Sequence, residues 1–69
     1  MEYFDYEPAA RDAGLNAEQL RQLMDVVRRD YPTDEMLFEL HVMRACRAIA
    51  EGRTTLEKAI ASPAANTFR

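Results

Sequence analysis

Asp34 to Glu51 reads DEMLFELHVMRACRAIAE, and this stretch decides the fold. Apolar residues stand at Met36, Leu37, Phe38, Leu40, Val42, Met43, Ala45, Cys46, Ala48, Ile49 and Ala50. Placed at about 100° per residue, Ala45, Phe38, Ile49, Val42, Cys46, Ala50, Met43 and Met36 share one half of the circle. That half is the expected core face. Arg44, Arg47, Glu51 and His41 occupy the opposite sector, with Leu37 and Leu40 stranded among them. A helix coated this widely is normally buried on more than one side. Glu35 and Glu39 fall inside the apolar half, where a carboxylate is expected to sit at the rim or to pair with an arginine.

The flanks set the ends of this helix. Gly52 suits the position just past a helix C-terminus. Thr33 is the expected N-cap, with Asp34 and Glu35 complementing the positive end of the helix dipole. Upstream, Tyr31-Pro32 stops an earlier helix, because the residue before proline avoids the helical region. That helix starts at Asn16, whose spacing to Gln19 is that of a capping box, while Leu15 and Leu20 stand as a hydrophobic staple. Leu20, Leu23, Met24 and Val27 follow at helical spacing, beside Val26 and Tyr31. The short connection predicts a helical hairpin.

Downstream, Thr54 and Glu57 form a second capping-box pattern, and a short third helix is expected over about Thr55 to Ala61, closed by Ser62-Pro63. Residues 62–69 read as a flexible tail in which Phe68 is the one docking candidate. Residues 1–14 form an acidic-aromatic arm, M-E-Y-F-D-Y-E, followed by one helical turn from Pro8 to Ala13 and a stop at Gly14. Residues 15–61 are the hairpin with its short C-terminal helix. The expected class is all-α, dimerising into a helical bundle.

The dimer follows from size. A chain of 69 residues buries roughly 60% of its unfolded surface and is marginal alone. Such domains need a staple. One cysteine, Cys46, excludes an intrachain disulfide, and His41 and Cys46 point about 140° apart on the helix, so they share no metal ion. No metal or cofactor is expected. Self-association is the staple left, with Leu37 and Leu40 at or near the interface and Arg44 beside them.

Composition narrows the function. The formal net charge of −3 is supplied by Glu2, Asp5 and Glu7, so the acidity belongs to the arm. The lone cysteine, the lack of a basic-then-apolar leader and the lack of a run near 20 apolar residues lead to an expectation of a cytoplasmic protein with no membrane span. Chemistry-bearing motifs are sparse. Cys46 lies on the apolar face, where a thiol is ordinarily inert packing. Ser62 is the only serine and two isolated glycines make no phosphate loop, so no enzyme is expected.

The reading is therefore a small non-enzymatic interaction module (adaptor, regulator or assembly subunit) acting as a homodimer. Tyr3, Phe4 and Tyr6 of the arm form a second partner surface, since aromatics supply contact area and the adjacent acids steer toward a basic partner. The alternative is a dimeric DNA-binding transcriptional regulator using Arg21, Arg28, Arg29 and Arg47. Nucleic acid is the lesser reading, because the helix from Asp34 opens with two acids where a recognition helix needs basic and amide side chains.

Overall fold

A computed structural model describes residues 3–61 of the chain. The expected tail over 62–69, with Ser62, Pro63 and Phe68, lies outside the described residues, as does Glu2 of the arm. The described residues form four helices and no strand: α1 (Glu7–Asp12), α2 (Ala17–Asp30), α3 (Glu35–Ala50) and α4 (Leu56–Ala61). The all-α class holds.

The helix ends show why the sequence breaks where it does. Asn16 accepts from the Gln19 amide at 2.8 Å while the Gln19 side chain accepts from the Asn16 amide at 2.9 Å, completing the expected capping box of α2. Both glycines terminate helices. Gly14 (φ +76) and Gly52 (φ +79) adopt the left-handed conformation. At the first, Leu15 N–H reaches Ala10 O at 3.0 Å and Gly14 N–H reaches Arg11 O at 2.9 Å. At the second, Arg53 N–H reaches Ala48 O and Gly52 N–H reaches Ile49 O. Both sets have the six-to-one and five-to-two pattern of a Schellman motif, which satisfies the last carbonyls.

Two N-caps differ from expectation by one residue. Asp34, not Thr33, caps α3, its carboxylate accepting from Leu37 N–H at 3.1 Å. Thr55, not Thr54, caps α4, its hydroxyl accepting from Lys58 N–H at 3.2 Å. In each pair both residues are capable N-caps. The first helix starts at Glu7, one residue ahead of Pro8.

α3 is the central element, and both α1 and α2 pack on it; α4 packs on α2. The core comprises Ala9 and Ala10 of α1, Leu23 and Val27 of α2, Phe38, Val42, Ala45 and Cys46 of α3, and Ala59 of α4. The alanines let short helices approach closely. Leu15 and Leu20, the expected staple, are both half-buried against this core. The buried arc of α3 is rotated from the expected one: Ala48 is buried, whereas Met36 and Ala50 are exposed. Covering by two helices, α1 on one flank and α2 on the other, sets that arc, and composition alone does not encode it.

Arg28 closes the α2–α3 corner. Its guanidinium makes two bonds to the Glu35 carboxylate, at 3.1 and 3.4 Å, and lies 3.6 Å from the centroid of the Phe38 ring. Beside it the Tyr31 and His41 rings stack with centroids 4.6 Å apart. His41 Nδ1 donates to the Leu37 carbonyl at 2.8 Å, because a carbonyl can only accept. In the neutral ring Nε2 is then bare and accepts from the Tyr31 hydroxyl at 3.2 Å.

Candidate interaction surface

The surface is built from Glu39 outward. This carboxylate is only 1% exposed, on the face of α3 that is otherwise apolar. Its Oε1 accepts two backbone bonds, from Tyr3 N–H at 2.9 Å and Phe4 N–H at 3.0 Å. A buried carboxylate is tolerated only where donors replace its water. Here consecutive amides of the arm do so. The sequence expectation of a rim position for Glu39 is thereby corrected: the residue is buried and clasps backbone. The signal was present, since a glutamate on an apolar arc needs a partner, but nothing local identifies donors 35 and 36 residues away.

The clasp fixes the arm. Tyr6 is half-buried against the core, and Phe4 is half-buried as well. Burial pushes the Tyr6 phenol above its ordinary pKa, and the negative charge of Glu39 adds to the shift. Tyr3 goes the other way. It is 57% exposed and, with Thr33, Asp34, Glu35 and Met36, lines an open depression at the start of α3. Met36 is 47% exposed. Tyr3 and Met36 are the exposed large hydrophobics among the described residues, and they lie together.

The remaining candidates lie along the outer side of α3. Leu37 and Leu40 are half-buried, and neither is among the described side chains packed against the main core. Arg44 and Arg47 are exposed and make no ion pair among the described residues. Thus Tyr3 and Met36 lie together at the start of α3, Leu37, Leu40 and Arg44 follow along that helix, and Tyr6 packs against the core.

The arginines proposed for nucleic acid are differently placed. Arg21 pairs with Glu18 at 2.9 Å and Asp25 at 3.7 Å. Arg28 is held by Glu35 and Phe38. Arg29 and Arg47 are exposed without an ion pair among the described residues, on α2 and α3 respectively.

Cys46 is fully buried, and burial pushes its thiol up to about 11, so it is protonated at neutral pH and a poor nucleophile. Among the described residues no three His, Cys, Asp or Glu side chains are grouped to hold a metal ion. No described helix is long and apolar enough to cross a membrane. No family model, curated protein or solved structure matches the chain.

Proposed function

We propose that the chain is a small non-enzymatic protein–protein interaction module that works as a homo-oligomer, an adaptor, regulator or assembly subunit by class. The observation that carries this reading is the clasp on Glu39. It holds the arm in place by its backbone and leaves the Tyr3 side chain free beside Met36. An aromatic presented on a fixed backbone loses little entropy on binding. Leu37 and Leu40 extend the apolar surface along α3, and Arg44 borders it. Two α2–α3 hairpins joined on that side make a four-helix bundle. The buried free thiol suits a reducing compartment, and the cytoplasm belongs to the same proposal.

Sedimentation equilibrium of the full chain, wild type and Leu40→Glu, tests it. The wild type is expected at about twice 7.9 kDa at tens of micromolar, and the variant at 7.9 kDa with unchanged helical circular dichroism. A wild type that stays at the single mass throughout this range would sink self-association.

A further inference from the structure

We infer that two copies of this chain pair along α3 in antiparallel sense, about a two-fold axis at Leu40, with Tyr3 of each copy against Arg44 of the other. The inference rests on the proposed self-association and specifies its geometry. On α3, Met36, Leu40, Met43 and Arg47 recur at intervals of four, three and four residues. That spacing forms a narrow seam along a helix, the spacing of a two-helix contact. Leu40 stands halfway along the helix between exposed Met36 and exposed Arg44.

Charge sets the sense of pairing. The seam ends at Arg47, and Arg44 stands beside it; both cations are exposed, and neither has an ion pair among the described residues. At its N-terminal end, Asp34 lines the same depression as Tyr3 and Met36, and the neighbouring Glu35 is already paired with Arg28. A parallel pair sets arginine on arginine and Asp34 on Asp34, which electrostatics disfavours. An antiparallel pair instead sets Asp34 of each copy toward Arg44 of the other. This surface is complementary to itself, as an isologous interface requires.

The arm takes part. Met36 and Arg44 are eight residues apart on α3, about 12 Å along the axis at 1.5 Å per residue. A two-fold at Leu40, halfway between, brings the Tyr3 ring beside Met36 onto the Arg44 guanidinium of the second copy. Face-on contact there is a cation–π pair. The buried Glu39 thereby couples arm docking to pairing, because Tyr3 reaches this position only while its amide is held.

Site-directed cross-linking of the full chain in a Cys46→Ala background tests the geometry, using a short bis-maleimide. Leu40→Cys is expected to link to itself. An equimolar mixture of Met36→Cys and Arg44→Cys is expected to link several-fold more than either variant alone. Met36→Cys linking alone as well as in the mixture means parallel pairing and overturns the inference. A sedimenting dimer with no link at 36, 40 or 44 means another face and overturns it too, while leaving the interaction reading intact; a wild-type monomer removes both. Tyr3→Ala and Arg44→Ala are each expected to raise the dimer Kd by about five- to thirty-fold, since the contact occurs twice. The double variant should be no weaker than the poorer single one; full additivity refutes the Tyr3–Arg44 contact.

Discussion

Replacing Glu39 with leucine separates the arm from the body. The clasp contributes two charge-assisted bonds to Tyr3 and Phe4, each about 1.5–3 kcal/mol. Together they supply about 3–6 kcal/mol toward docking. Ordering the backbone over residues 3–6 opposes it by about 1–2 kcal/mol per residue, or about 4–8 kcal/mol. Partial burial of Phe4 and Tyr6 makes up the difference, so docking is a balance within a few kcal/mol. Loss of even 3 kcal/mol or so shifts the docked population by about two orders of magnitude. The body responds oppositely. A buried carboxylate carries a desolvation penalty of several kcal/mol, and an apolar replacement of similar volume removes it. Glu39→Leu is therefore expected to release the arm with little change, or a gain, in the stability of the helices. Amide hydrogen exchange followed by NMR reads both. Wild-type Tyr3 and Phe4 amides should be protected and lose that protection in the variant, while Val42 and Cys46 amides keep theirs. Tyr3 and Phe4 amides that exchange at the unfolded rate in the wild type, or stay protected in Glu39→Leu, would refute the clasp.

Cys46 makes stability depend on alkaline pH. Its folded pKa of about 11 is raised above the ordinary 9.0, so its contribution is fully present below pH 9 and is lost as pH rises toward 11, about 3 kcal/mol in total. Urea unfolding from pH 7 to 10.5 should show Cys46→Ala losing less stability than the wild type over this range; parallel profiles would contradict the assignment. Arg28→Lys is expected to lower stability by about 1 kcal/mol, because an ammonium makes neither the two-pronged bond to half-exposed Glu35 nor the stack on Phe38. A urea midpoint unchanged at constant slope would show that the corner holds without the guanidinium.

The local grammar was legible because its causes are local. Asn16 with Gln19, Gly14, Gly52 and Pro32 each act within a turn of their own position, and all of them end or start helices where expected. Where two neighbours could do the same task, as Thr33 with Asp34 and Thr54 with Thr55, the choice moved by one residue. The site was legible only as an anomaly. A glutamate on an apolar arc and two leucines on a charged one marked α3 as unusual, but the donors for Glu39 come from the far end of the chain. Nothing local to Arg28 marks its seat over Phe38, because that ring belongs to another helix.

The sequence by itself determined that the described residues form an all-α fold, where its helices break, and that α3 carries more apolar surface than one partner helix covers. Periodicity and caps act over a few residues, so they can be read without knowing the fold. Tertiary structure decided which half of α3 is buried, that the arm is fastened to it through Glu39, and that Tyr3 faces outward. Those outcomes depend on how α1 and α2 flank one helix, and on buried polar groups finding partners wherever the fold brings them.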